Sequence, residues 1–89
     1  MMELHWSATA EQSLHIASLA VYCRPDAVAS LKQWLATQTG VSVPAESEQG
    51  KLVLLVETEQ EQQILDLLEH LGQCAGVAHA ALVYHEIIA

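Results

Sequence analysis

Basic residues are the scarcest component of this 89-residue chain, which holds 3 Lys and Arg against 11 Asp and Glu for a formal net charge of −8. Proteins that bind nucleic acid need Lys and Arg to displace counterions from phosphate groups, so the composition argues against DNA or RNA as a partner. The charge favours a cationic partner instead, such as a basic peptide or a metal ion.

Long apolar runs are missing as well. No stretch approaches the roughly 18 apolar residues of a membrane-spanning helix, so we predict no stable membrane association. Residues 1–13 contain two glutamates, no basic residue and no apolar h-region. We therefore predict no secretory signal and a cytoplasmic protein. Cys23 and Cys74 are the only cysteines, and in the cytoplasm they are expected to be reduced, which excludes a disulfide framework.

Sets of residues typical of catalysis or metal binding are also missing. The four glycines stand singly, so there is no phosphate-binding loop, and no nucleophile is followed by a base and an orienting group. Among the histidines, His79 and His85 are about 20 Å apart along one predicted strand, too far to share an ion. His15 could approach either of them, but no cysteine or carboxylate completes a ligand set. We predict no enzyme, no metal and no cofactor.

What is present is a globular composition, with 52% hydrophobic and 16% charged residues, enough for one core. Periodicity predicts a strand over 14–23, a helix over 25–39, a short strand over 41–43, a strong strand over 51–57, a helix over 58–71 and a last strand over 77–85. This βαββαβ order predicts an α+β ferredoxin-like fold, with a four-stranded antiparallel sheet in the order 4-1-3-2 and both helices on one face. Pro44 cannot donate a ladder hydrogen bond, so the second strand should lie at an edge. Residues 14–89 should form this single domain, and residues 1–13 a flexible N-terminal extension.

Two helices can cover only one side of that sheet, yet the strands are apolar on both sides. The residues assigned to the covered side are Ala17, Leu19, Val21, Leu52, Leu54, Val56, Ala80, Leu82 and Tyr84. The uncovered side would then present Ile16, Ser18, Ala20, Tyr22, Val53, Leu55, Ala81 and Val83, rimmed by His79, His85 and Glu57. Glu46 and Glu48 are candidates for an acidic part of this rim. Such a patch is typical of a binding surface, although a dimer interface has the same composition.

Three segments resemble a known family. They are HIASLAVYC in the first strand, GKLVLLVETE in the third, and CAGVAHAALVYHEI at the end, of which LVYH at 82–85 is the most specific. Over residues 15–85 the chain resembles NapD, the family of small cytoplasmic chaperones that mature the periplasmic nitrate reductase NapA. Residues 1–13 have no counterpart in that pattern.

The resemblance implies a ferredoxin-like chaperone that binds the twin-arginine (Tat) signal peptide of the NapA precursor. Members of the family hold this peptide, in helical form, on the sheet and delay export until the cofactors are inserted. The apolar h-region would dock on Ile16, Ala20, Val53, Leu55 and Val83, and the arginines would meet Glu57, Glu46 or Glu48. The protein would act as a monomer or weak dimer.

Two other functions have the same order of elements. A small-molecule sensing module of the ACT type would work as a dimer and bind its ligand near Arg24–Asp26. A copper carrier would place a CxxC loop after the first strand, but only Cys23 stands there, followed by Arg24 and Pro25.

Overall fold

The fold is a four-stranded antiparallel sheet with two helices on one side. A computed structural model describes residues 13–88 of the chain. In chain order the elements are β1 (Leu14–Cys23), a 3₁₀ turn (Pro25–Ala27), α1 (Val28–Leu35), β2 (Val41–Glu46), β3 (Lys51–Thr58), α2 (Glu61–Gln73) and β4 (Val77–Ile88). The strands lie in the order β2-β3-β1-β4, and every neighbouring pair is antiparallel. The ferredoxin-like fold and the strand order predicted from the sequence are confirmed.

Both helices pack their apolar stripes onto the same face of the sheet. α1 contributes Leu31 and Leu35 to the core, four residues apart on one side of the helix. The strands contribute every second residue, as period-2 geometry requires. The buried core consists of Ala17, Leu19, Val21, Cys23, Leu31, Leu35, Leu52, Leu54, Val56, Ile64, Leu67 and Leu71. Neither helix in the described range is long and apolar enough to cross a membrane.

α2 begins without a capping box, although Thr58 and Glu61 have the spacing of one. Gln60 occupies the N-cap position and makes no side-chain capping bond. The hydroxyl of Thr58 accepts a hydrogen bond from the Gln60 backbone N–H at 3.1 Å and donates one to the side-chain oxygen of Gln63. Thr58 still ties the end of β3 to the first turn of the helix, but through two glutamines.

β2 lies at the sheet edge, where Pro44 predicts it. Its register against β3 shifts between Ser42 and Ala45, so β2 holds one more residue than its partner over this stretch. A proline in a central strand would leave a neighbouring carbonyl without its donor, whereas at an edge the missing N–H faces away from the sheet. The irregularity also makes this edge a poor template for pairing with another chain.

β4 departs from the simple alternation that the sequence predicts. Ser18 pairs with Tyr84 and Leu19 with Leu82, so Val83 is an extra residue in β4 and forms a bulge. The bulge reverses the faces of all later residues of the strand. Tyr84, predicted in the core, therefore lies on the side opposite the helices with 52% of its surface exposed.

The two cysteines are free and differ in burial: Cys23 is buried and Cys74 is intermediate. Burial, followed by the negative charge of Asp26, raises the pKa of the Cys23 thiol above its ordinary value. Less thiolate is present at a given pH, so we expect iodoacetamide to alkylate Cys23 at least several-fold more slowly than Cys74. Peptide mapping by mass spectrometry checks this, with the denatured chain as the reference in which both react alike. Equal rates in the folded protein would contradict the burial of Cys23.

Candidate functional site

The side of the sheet opposite the helices, called the open face here, carries the main candidate site. Directly paired residues of antiparallel strands share a face, so the register gives its composition row by row. Read from β3 across β1 to β4, four rows cross three strands: Glu57–Ile16–Glu86, Leu55–Ser18–Tyr84, Val53–Ala20–Ala81 and Lys51–Tyr22–His79. Beyond the first of them, Leu14 and Ile88 form one more pair on this face. On β2, Ser42 extends the second row and Ala45 the third.

The two middle rows form a smooth, mostly apolar floor. Ala20 and Ala81 are small, and Val53 and Leu55 stand beside them, all half-buried although neither described helix lies on this side. Four strands spaced about 4.8 Å apart make a face about 14 Å wide, and the four rows span about 20 Å along the strands. A helix about 10–12 Å in diameter matches this width, so the floor has room for one helix and no more.

One end of the open face is acidic. Glu57 and Glu86 stand on either side of Ile16, two strand spacings or about 10 Å apart. The Tyr84 hydroxyl donates a hydrogen bond to Glu86 Oε1 at 2.8 Å, which raises the pKa of the tyrosine and holds the carboxylate beside the floor. Among residues 13–88, neither glutamate takes part in an ion pair.

The other end is aromatic and has one fixed cation. The Lys51 ammonium lies 5.5 Å from the ring centroid of Tyr22, and the His79 ring lies 6.2 Å from it on the other side. Glu48 is exposed in the turn that leads into β3, so its charge offsets that of Lys51. The open face therefore runs from a doubly negative end to a nearly neutral one.

The basic residues of the chain are already engaged elsewhere. Arg24 pairs with Asp26 at 3.2 Å, and Lys32 of α1 pairs with Glu46. With Lys51 beside Tyr22, none of the three is placed to neutralise the acidic end. Within residues 13–88, that end therefore carries negative charge with no Lys or Arg side chain paired to it, next to apolar surface.

Most of the residues predicted for the site do come together on the open face. They are Ile16, Ser18, Ala20, Tyr22, Val53, Leu55, Glu57 and Ala81. Val83 sits in the bulge without a register partner and is 66% exposed at the margin. Of the acidic rim, Glu57 is on the face and Glu48 lies at the opposite end from it.

Two residues predicted for the rim do not lie on the open face. His85 pairs with Ala17, so it lies on the helix side, where its Nε2 is 3.0 Å from Nδ1 of the buried His15. Glu46 pairs with Leu52 and holds an ion pair with Lys32, so it too lies on the helix side. The cause is the same in both strands, because one extra residue upstream reverses the alternation.

Sequence reasoning missed Tyr84 and Glu86 as residues of this surface. Strict alternation from Ala80 would place both on the helix side of the sheet, whereas both lie on the open face. Only the bulge at Val83 brings them beside Ser18 and Ile16, and no glycine or proline near that position signals it. The pattern YxE, with its hydroxyl-to-carboxylate bond, is a feature that could have indicated a shared face.

The other parts of the described structure offer weaker candidate sites. Within residues 13–88, no three or more His, Cys, Asp and Glu side chains gather where they could hold a metal ion. A cleft of about 420 Å³ lies on the helix side, where Trp34 stacks on His70 with centroids 4.2 Å apart. This cleft and a smaller one beneath α1 are not lined by the Arg24–Asp26 loop, where a sensing module would bind its ligand.

Comparison with known proteins decides the family. The sequence model described as NapD protein matches residues 14–87. The chain belongs to the NapD family. The match extends from the start of β1 almost to the end of β4, so the four rows from Glu57–Ile16–Glu86 to Lys51–Tyr22–His79 lie inside it. The resemblance seen in the first, third and last strands is thereby confirmed.

The fold comparison agrees. The chain superposes on the solution structure of the E. coli Tat proofreading chaperone protein NapD with a TM-score of 0.71 and 24% sequence identity, over 82% of this chain and 78% of that one. At this identity the superposition shows a shared fold. Among curated proteins, no sequence matches the chain.

Proposed function

We propose that this NapD-family protein is a cytoplasmic chaperone of Tat-dependent export that binds the twin-arginine signal peptide of a periplasmic nitrate reductase precursor on the open face. The observation that carries the proposal is the combination, on the face opposite the helices, of an apolar floor with two carboxylates that hold no ion pair among residues 13–88. A twin-arginine signal peptide has the complementary composition, a cationic n-region followed by an apolar h-region. Holding the peptide delays export until the cofactors are inserted and the enzyme is assembled.

The dimensions of the surface favour a helical peptide over an added strand. Both edges of the sheet are irregular, β2 at Val43–Pro44 and β4 at Val83, which disfavours pairing with an extended chain. The floor is mostly apolar and one helix wide. An amphipathic helix that lays its apolar side on such a surface is a common mode of peptide recognition.

Two terms contribute to binding in different ways. Burial of the h-region against Val53, Leu55 and Ala20 supplies affinity at roughly 25 cal/mol per Å² of apolar surface, less the cost of ordering the peptide. Exposed ion pairs at the acidic end add about 0–1 kcal/mol each and mainly raise the association rate and specificity. No step of this function requires a catalytic group.

The decisive experiment is calorimetric titration with a synthetic peptide that reproduces the twin-arginine signal sequence of the nitrate reductase from the same organism. Ala20 lies at the centre of the floor, and Ala20→Asp would bury an unpaired carboxylate under the bound h-region. We expect the affinity to fall by at least about tenfold, since burying an uncompensated charge costs more than about 1.4 kcal/mol.

The matched control is Ala29→Asp, the same substitution at an exposed position on α1, on the other side of the protein. It should bind like the wild type. Circular dichroism must show that both variants are folded. Unchanged affinity in Ala20→Asp would place binding elsewhere, and no binding by the wild-type protein would refute the chaperone assignment.

A further inference from the structure

We infer that the open face binds its peptide in one direction, with the N-terminal, arginine-bearing end over the Glu57–Ile16–Glu86 row and the apolar segment running toward Lys51, Tyr22 and His79. The inference rests on the proposed function and adds the polarity of the complex. It assigns Glu86, which sequence reasoning missed, an equal share with Glu57 in receiving the arginines.

The first argument is the charge difference between the two ends. Two carboxylates without ion-pair partners among residues 13–88 lie at one end, and Lys51 lies at the other, about 20 Å away along β3. A cationic n-region over Lys51 would meet a like charge that only the exposed Glu48 offsets. Over the acidic row the same region meets two negative charges.

The second argument is independent of the peptide side chains. A helix carries about half a positive charge at its N-terminus and half a negative charge at its C-terminus. In the inferred direction the N-terminus faces Glu57 and Glu86, and the C-terminus faces Lys51. The reverse direction would place the negative C-terminus over the two carboxylates and leave the N-terminus at the nearly neutral end, so the backbone and the side chains of the peptide select the same polarity.

The geometry of the acidic row suits two adjacent arginines. Neighbouring residues of a helix diverge by about 100° and do not face each other, so twin arginines point to different sides of the helix. Glu57 and Glu86 are also separated, about 10 Å apart on either side of Ile16. A helix centred over Ile16 would direct one arginine toward each carboxylate, and the bond from Tyr84 keeps Glu86 in place.

The length of the face sets the register of the apolar segment. The 20 Å between the first and last rows corresponds to about 13 helical residues at 1.5 Å each. The apolar segment that follows the arginines should therefore cover the Ser18 and Ala20 rows and end near Tyr22. The small residues of the floor allow the peptide helix to approach the sheet closely.

Paramagnetic relaxation measurements test the direction. The probe is the same signal peptide with a nitroxide on a cysteine placed either just before the arginines or at the end of the apolar segment. The first label should broaden the amide signals of Ile16, Glu57 and Glu86, and the second those of Tyr22, Lys51 and His79. The reversed pattern, or equal broadening of both ends by each label, would overturn the inference while leaving peptide binding intact. Absence of binding would instead refute the proposed function itself.

Charge variants test the assignment of the arginines. We expect the double variant Glu57→Gln, Glu86→Gln to bind the twin-arginine peptide about threefold to tenfold more weakly than the wild type does. It should bind a peptide with both arginines changed to glutamine no worse than the wild type does. The matched control is the double variant Glu48→Gln, Glu69→Gln, which also removes two charges, one from the other end of the face and one from α2. Its affinity should differ from that of the wild type by less than about twofold. Equal weakening by the two double variants would show that net charge alone acts, and would overturn the assignment.

Discussion

Leu54→Ala should lower the free energy of unfolding by about 2–5 kcal/mol, whereas Leu55→Ala, one position further along β3, should cost about 1 kcal/mol or less. Leu54 is fully buried between the sheet and the helices. Its truncation removes apolar contacts and leaves a cavity that the packed core cannot fill. Leu55 is half-buried on the open face, where solvent occupies the space that the side chain leaves.

Peptide binding should be weakened by Leu55→Ala and left unchanged by Leu54→Ala. Leu55 stands in the second row of the floor, beside Ser18, so its truncation removes surface from the proposed contact. We expect Leu55→Ala to bind the signal peptide several-fold more weakly and Leu54→Ala to bind normally at a temperature at which it is folded.

Urea denaturation and calorimetry on the same two proteins provide the check. Because the substitutions are chemically identical and adjacent, differences in side-chain type cannot explain the outcome. If both variants lost stability equally, the two faces of β3 would not differ in burial as the structure has them.

The sequence predicts the central strands well for a physical reason. β1 and β3 have neighbours on both sides and the ladder between them is regular, so side chains alternate without interruption from His15 to Tyr22 and from Lys51 to Thr58. A period of two, anchored on one buried residue, then assigns every other residue to a face. Seven of the eight open-face residues that were predicted and found lie on these two strands.

The edge strands could not be predicted to the same depth. An edge strand has a partner on one side only, which tolerates an extra residue, and both edges contain one. The irregularity near Pro44 moves Glu46 to the helix side, and the bulge at Val83 exchanges the faces of Tyr84 and His85. The residues predicted for the floor therefore share one face, whereas the charged rim differs from the prediction, with Glu86 rather than Glu46 on the face of Glu57.

This difference bears on how the face achieves its polarity. Without the bulge, Glu86 would point toward the helices and the acidic row would hold Glu57 alone. The bulge therefore does more than protect an edge, since it supplies the second carboxylate and, through Tyr84, the bond that orients it. In the proposed complex, the direction of peptide binding would therefore depend on an irregularity that local sequence signals do not reveal.

Gly50→Ala should destabilise the fold by about 3 kcal/mol or more, which lowers the melting temperature by on the order of 12 °C or more for a domain of this size. Gly50 ends the turn before β3 with a φ of 101°, a region that L side chains rarely adopt. A Cβ there would collide with the carbonyl oxygen of Cys23 and lie 3.0 Å from the carbonyl carbon. The obstacle is backbone, so it cannot move aside as a flexible side chain would.

The collision would also weaken the connection between β1 and β3. The Cys23 N–H donates to the Gly50 carbonyl at 2.8 Å, so moving the turn lengthens a bond that holds the end of β1 beside the start of β3. Tyr22 and Lys51 are the adjacent residues of those strands on the open face. We therefore expect the aromatic end of the face to be disturbed first, with amide shifts concentrated near Tyr22 rather than near Ile16.

Gly72→Ala is the matched control for this strain. Gly72 lies near the end of α2, and a Cβ there meets nothing within 4 Å. Alanine favours the helix and restricts the unfolded chain, so this variant should gain about 0.4–1 kcal/mol. We therefore expect thermal unfolding to show a lower melting temperature than the wild type for Gly50→Ala and a higher one for Gly72→Ala, although the chemical change is the same. A melting temperature for Gly50→Ala within a degree or two of the wild type would show that the turn accepts a side chain and that its positive φ is not required.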